Sequence, residues 1–175
     1  MIICPYCDSE NINGADACEH CGQTLNDLHL PIPASHVERC LLRDRLSVLS
    51  PSHLVTTVSP ETTISEVLQL LAERAIGCVL VTQNDRLVGV FSERDVLLKL
   101  NTRAAELADH PVSEFMTPDP QSLDVDAKVA FALHRMSVGH YRHVPLTDKK
   151  GRPTGIISVR DVLRYLTDKM VEADA

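Results

Sequence analysis

Gly89-Val90-Phe91-Ser92-Glu93-Arg94-Asp95 and Gly155-Ile156-Ile157-Ser158-Val159-Arg160-Asp161 are two copies of one phrase. Each closes an apolar, β-prone run and opens a helix, because serine followed three residues later by a carboxylate is an N-terminal capping signal. Val96, Leu97 and Leu100 continue a helical stripe after the first copy, and Val162, Leu163 and Leu166 after the second. Upstream of the first copy, a turn at Asn84-Asp85 leads back to the strand Cys78-Val79-Leu80-Val81. Before that strand, Thr63-Ile64-Ser65-Glu66 is a capping box. It opens a helix with Ile64, Val67, Leu68, Leu71 and Ala75 on one face, and Gly77 is its expected stop. Leu54-Val55-Thr56-Thr57-Val58, ahead of it, is β-prone.

The same order recurs. Ser122-Leu123 is the expected strand, followed by a helix with Val129, Leu133 and Met136 and a stop near Gly139. A strand through Val144-Pro145-Leu146 and a turn at Lys149-Lys150-Gly151 complete the second copy. Val67 and Ile76 precede Val129 and Val138 by 62 residues, whereas Ser92 and Asp95 precede Ser158 and Asp161 by 66. The four extra residues fall around His140-Tyr141-Arg142-His143 and the following hairpin. A register that holds on both sides of an insertion marks an internal repeat.

Tandem β-α-β-β-α units, each with Gly-h-h-Ser-x-x-Asp at the second helix, resemble the cystathionine β-synthase (CBS) domain pair, or Bateman module. The resemblance covers about residues 37–170. It implies an α/β (α+β) fold of two repeats packed as a pseudo-symmetric pair, the first over 37–110 with a leading helix and the second over 111–175. It also implies two clefts for adenosine-type ligands (AMP, ADP, ATP, S-adenosylmethionine, sometimes NAD) and a sensing rather than catalytic role. Asp95 and Asp161 would then bind ribose, Ser92 and Ser158 ribose or phosphate, and Arg142 phosphate. Chemistry is compatible with this. A carboxylate accepts two ribose hydroxyls, a helix start favours an anion, and guanidinium clamps phosphate bidentately. The alternative is that Ser-x-x-Asp is only a cap and Arg142 only a surface charge. Arg94 and Arg160 are weaker candidates of the same kind.

The amino-terminal segment is different. Cys4-Pro5-Tyr6-Cys7 and Cys18-Glu19-His20-Cys21-Gly22 place two Cys-x-x-Cys pairs ten residues apart. That spacing is a tetrahedral zinc signature, with four thiolates leaving no open position for catalysis. Gly22 suits the positive φ of the second knuckle, and Asp8 holds the matching place with less ease. His20 is read as a solvent-facing spacer. Disulfides or a redox dithiol are the alternatives; the first lacks a secretory signal here and the second a thioredoxin-like setting. The segment resembles a short zinc ribbon over 1–25, with a Pro31/Pro33 linker at 26–36 and a core separate from the repeats. His36 to Leu49 then reads as one helix, ended by Ser50-Pro51-Ser52, with Cys40 a buried small hydrophobe.

Composition narrows the function. The 175 residues are 44% hydrophobic and 23% charged, enough for a core, and no apolar run approaches a spanning helix. A cytoplasmic, membrane-free protein is expected. Tryptophan is absent and aromatics are 3%, which is poor material for stacking single-stranded bases. The net charge of −7 divides into −6 before Arg39, the first Lys or Arg, and −1 after it. An acidic ribbon is the wrong sign for phosphate backbones, so a nucleic-acid-associated transcriptional regulator is the alternative and not the first reading. No P-loop, nucleophile elbow or open metal site indicates an enzyme. A homodimer and a protein partner for the ribbon complete the expectation.

Overall fold

The computed structural model describes residues 2–4, 6–12, 15–25, 35–49 and 55–173. The 26–34 stretch of the linker and the Ser50-Pro51-Ser52 helix end lie outside these residues. The chain divides into two compact units. One comprises Met1–Pro51, Asp124–Val144 and Ile157–Ala175, the other Ser52–Leu123 and Pro145–Ile156.

In the second of these, β3 (Thr57–Val58), β4 (Cys78–Gln83), β5 (Arg86–Ser92) and β6 (Thr117–Pro118) form a sheet in that order. β3 runs parallel to β4, and β5 is antiparallel to both β4 and β6. Alternation along β4 sends Val79 and Val81 into one core, with Ile64, Val67, Leu71, Phe91, Leu100 and Val112. It sends Cys78 and Leu80 to the other face, against Val90, Leu87 and Ile156. Asn84 and Asp85 make the two-residue hairpin, both with positive φ (52° and 61°). Helix α2 (Ile64–Glu73) starts at the expected capping box: the Thr63 hydroxyl accepts the Glu66 N–H at 3.3 Å and the Glu66 carboxylate accepts the Thr63 N–H at 3.0 Å. Its stop differs from expectation. Ala75, not Gly77, takes the left-handed position (φ 50°), with Ile76 N–H donating to Leu71 C=O.

The Ser122-Leu123 run pairs as expected at the opening of the second repeat: Leu123 bridges Leu146 in parallel, as Thr57 does Leu80 in the first, with Leu123 N–H donating to Pro145 C=O and Thr147 N–H to Leu123 C=O. β6 is an additional short strand laid on β5. One further expectation is corrected in this unit. The first Ser-x-x-Asp does not open a regular helix. A single turn, α3 (Glu93–Asp95), passes into a π-helical turn over Val96–Leu100, with Leu100 buried and Leu97 exposed.

In the other unit, α1 (His36–Arg43) does not continue to Leu49. Asp44 is extended and a 3-10 turn covers Leu46–Leu49. The break has a cause: backbone groups here are taken by the 125–129 segment. Val129 N–H donates to Asp44 C=O, and Leu46 and Ser47 N–H to Ala127 and Val125 C=O. Cys40 is buried, 3.4 Å from His36 Nε2. Helix α4 (Val129–Gly139) precedes β7 (His143–Thr147), β8 (Pro153–Ser158) and α5 (Val159–Ala173), and β7 pairs with β8. α4 ends where His140 turns left-handed (φ 54°); a Cβ on Gly139 would lie 2.1 Å from the Tyr141 ring, so any other residue there has to displace that ring.

The ribbon carries β1 (Ile2–Ile3) paired with β2 (Glu10–Asn11) and its own cluster of Cys4, Cys18 and Leu25. Its separation from the repeats is incomplete. Tyr6 packs edge-on to Phe131 (centroids 5.4 Å apart, 83° between planes), and its Oη accepts the Asp124 N–H at 3.2 Å. Asp8 pairs with Arg45 at 2.9 Å and Lys128 at 3.5 Å. The first knuckle therefore rests on the start of α4.

Candidate functional site

Each Cys-x-x-Cys pair forms a knuckle. Asp8 N–H donates to Cys4 C=O and Gly22 N–H to Cys18 C=O, with Asp8 and Gly22 at φ 59° and 72°. The turns bring the Sγ atoms of Cys4, Cys7, Cys18 and Cys21 within 4.8 Å of one another, and Cys4–Cys21 and Cys7–Cys18 lie 3.6 Å apart. All four are free thiols. A tetrahedral ion with bonds of about 2.3 Å needs sulfurs roughly 3.8 Å apart, so this donor set fits a thiolate-bound metal. Burial raises the Cys21 and Cys4 thiols. At Cys18 burial acts the same way, but the N–H groups of Cys21 and His20, then Cys7 and Asn11, outweigh it and bring that thiol down to about 6. His20 is exposed.

The two Ser-x-x-Asp boxes are built alike on one side. Asp95 Oδ2 accepts the Ser92 N–H and hydroxyl at 2.9 and 2.7 Å; Asp161 Oδ2 accepts those of Ser158 at 2.8 and 2.7 Å. The capping geometry is thus present in both, and a ligand has only the Oδ1 atoms to compete for. In each repeat the first helical N–H reaches back to the residue ahead of the first hairpin strand: Glu93 to Gly77 C=O (3.0 Å), Val159 to Arg142 C=O (2.9 Å). Arg142 therefore stands beside Ser158 and Asp161, exposed, where the first repeat has a glycine.

The Oδ1 sides differ. Asp95 is buried, and its Oδ1 lies 2.8 Å from Lys99 Nζ, with the Thr117 hydroxyl at 3.5 Å. Among the described residues the cation paired with Asp161 Oδ1 is Arg164 at 3.9 Å, beyond hydrogen-bond range. Lys99 was not among the sequence candidates, although Asp-x-x-x-Lys is a readable i,i+4 pair. Cys78, behind the first motif, is inert. Burial, with the Glu93 and Asp95 charges, pushes its thiol up to about 12.

A family model for the CBS domain matches residues 48–102 and 112–168, and the chain belongs to that family. It is 34% identical over 115 residues to an uncharacterized 17.7 kDa protein of Acidianus ambivalens, covering 65% of this chain and 68% of that one. It is 32% identical to a CBS domain-containing protein of Arabidopsis thaliana, covering 73% of this chain but only 24% of the relative. Among solved structures, a CBS-domain protein of Agrobacterium tumefaciens superposes with a TM-score of 0.61 at 31% identity, over 69% of this chain and 96% of that one. The cytosolic domain of the Mg2+ channel MgtE, solved in complex with ATP, superposes at 0.58 with 26% identity, over 73% of this chain and 52% of that one. No helix among the described residues is long and apolar enough to cross a membrane.

Proposed function

We propose that this protein is a regulatory sensor that binds an adenosine-type nucleotide at a Ser-x-x-Asp motif and carries a structural zinc ion on Cys4, Cys7, Cys18 and Cys21. The observation that carries the nucleotide reading is the second motif. Among the described residues, no cation lies within hydrogen-bond range of Asp161 Oδ1, and the exposed Arg142 is joined through its carbonyl to the start of α5. Asp161 takes the ribose hydroxyls, Ser158 and the start of α5 lie towards the phosphate, and Arg142 clamps it. The ATP-bound MgtE domain supports the ligand class. Ser92 and Asp95 are the corresponding pair in the first repeat. The chemistry asked of the ribbon is structural: four thiolates saturate a tetrahedral ion. We read the chain as a non-catalytic, cytoplasmic homodimer that meets a protein partner through the ribbon. Exposed Val138, Leu163, Met170 and Val171 offer apolar surface for pairing.

Calorimetry with ATP, AMP and adenosine tests this. Asp161→Ala removes charge-assisted bonds and is expected to weaken ATP roughly 10–100-fold, or about 1.5–3 kcal/mol in all. The variant should also lose most of the wild-type preference for ribo- over 2′-deoxyribonucleotide. Arg142→Ala is expected to weaken ATP and AMP while sparing adenosine. Unchanged affinity in both variants would reduce the motif to a helix cap.

A further inference from the structure

The two motifs share a serine, an aspartate and their mutual bonds, but not the residue one turn later. At the 66-residue offset, Lys99 corresponds to Tyr165. Tyr165 turns away from Asp161 and donates its hydroxyl to Asp44 at 3.0 Å. Lys99 turns onto Asp95. Its ammonium lies 2.8 Å from Asp95 Oδ1 and also donates to the carbonyls of Phe115 (2.7 Å) and Met116 (3.2 Å). All three of its donors are used. Asp95, for its part, gives Oδ2 to Ser92 and Oδ1 to Lys99 and Thr117, so no acceptor is left for a pair of ribose hydroxyls. The space beside Gly89 is also filled from within. A Cβ on Gly89 would lie 2.2 Å from Met116 Sδ, so the gap left by the missing side chain is taken by a methionine and not left to a ligand. A π-helical turn spans Val96–Leu100 and carries Lys99, a local departure that recurs at functional positions.

We propose that Lys99 is an internal occupant of the first motif, so that each chain takes one adenosine-type ligand, at the second motif only. This rests on the nucleotide reading above and adds to it the number and identity of the working site. A ligand hydroxyl is a neutral donor, whereas Lys99 offers Asp95 a charged one on the same chain. Charge-assisted pairing and the absence of a translational and rotational cost both favour the lysine.

The test is the stoichiometry of ATP binding to the full chain, with far-UV circular dichroism on every variant. Wild type is expected to bind one equivalent. Asp161→Ala should weaken that site by the roughly 10–100-fold given above, and Asp95→Asn should leave its affinity and stoichiometry unchanged. Lys99→Met, and Lys99→Gln as a variant that keeps a polar end, should raise the stoichiometry towards two, and Lys99→Met with Asp161→Ala should retain one. In the unmutated protein, acetylation of Lys99 by acetic anhydride, read by mass spectrometry, should be slow and unaltered by saturating ATP. Two equivalents on wild type with one lost in Asp95→Asn, or a Lys99 made reactive by ATP, would overturn the proposal while leaving the nucleotide reading intact. So would a single equivalent in folded Lys99→Met and Lys99→Gln. Absence of ATP binding in wild type and all variants would overturn the nucleotide reading and this proposal with it.

Discussion

Ala75 carries a left-handed backbone (φ 50°) without glycine's freedom, a conformation that costs an L-residue roughly 1–2 kcal/mol. It is held there by a Schellman closure. Ala75 and Ile76 N–H donate to Ala72 and Leu71 C=O, and Ile76 packs against the Leu71 cluster. Ala75→Gly is therefore expected to stabilise the fold by about 1 kcal/mol, seen as a higher urea midpoint at unchanged slope. Asp8 is also left-handed, but its pairs with Arg45 and Lys128 use the side chain, so glycine there is no equivalent gain. Residue-scale features set by near neighbours were legible in the sequence: the four thiols, Gly22, Asn84-Asp85, the Thr63 box. The stop of α2 was not. Gly77 has the better residue type, but the helix end is fixed by the need to return Ile76 to the core, three residues after Glu73, the last of the helix. Lys99 was missed for a related reason: its meaning comes from the carbonyls of Phe115 and Met116, which the sequence does not bring near it.

Short hairpins and helices are held by caps whose charge state matters. In the turn between β7 and β8, Asp148 Oδ1 accepts the N–H groups of Lys150 and Arg152, and Oδ2 meets the Arg152 guanidinium at 2.7–2.8 Å. The Arg152 N–H first, with its guanidinium and the Lys150 N–H adding, holds this carboxyl below its ordinary value. A depressed folded-state value means that the turn is stabilised above the unfolded carboxyl's titration, near about pH 4, and loses that stabilisation as pH falls through the folded value. The Lys150 and Arg152 amide signals are accordingly expected to move with a common midpoint below about pH 4 in an NMR titration. Asp148→Asn should abolish that step; a midpoint at the ordinary value would contradict it. Elements whose boundaries depend on distant backbone were read less well. α1 stops at Arg43 because Asp44 supplies a carbonyl to Val129 and a carboxylate to Tyr165, partners 85 and 121 residues away. β6 at Thr117–Pro118 carries no strand pattern of its own, and only its pairing with β5 makes it a strand.

On the scale of the whole chain, repeat number, repeat register and the ribbon were legible because each is a pattern within the sequence. The docking of the ribbon was not, since Tyr6 and Phe131 are one aromatic each among ordinary residues. The expectation of separate cores has a consequence that now changes. Chelator should release the first knuckle and with it the Tyr6–Phe131 and Asp8–Lys128 contacts. Hydrogen exchange read by mass spectrometry is then expected to rise in the ribbon and over 124–131, while the β4–β5 hairpin keeps its protection. Exchange over 124–131 that ignores chelator would show the dock to be independent of the metal, and loss of protection in β4–β5 would show the fold to be one cooperative block.

The dock also works in the opposite direction. Two events that favour the same arrangement of Cys4 to Asp8 are thermodynamically coupled, and coupling is reciprocal. Whatever a metal bound by the four cysteines would contribute to holding Tyr6 against Phe131, that contact would return to the metal. The affinity for such an ion would then be partly a property of Phe131 and Lys128, which stand more than a hundred residues from the nearest of those cysteines. A partner that competes for the face of α4 would draw the ion's affinity down without approaching a single thiolate.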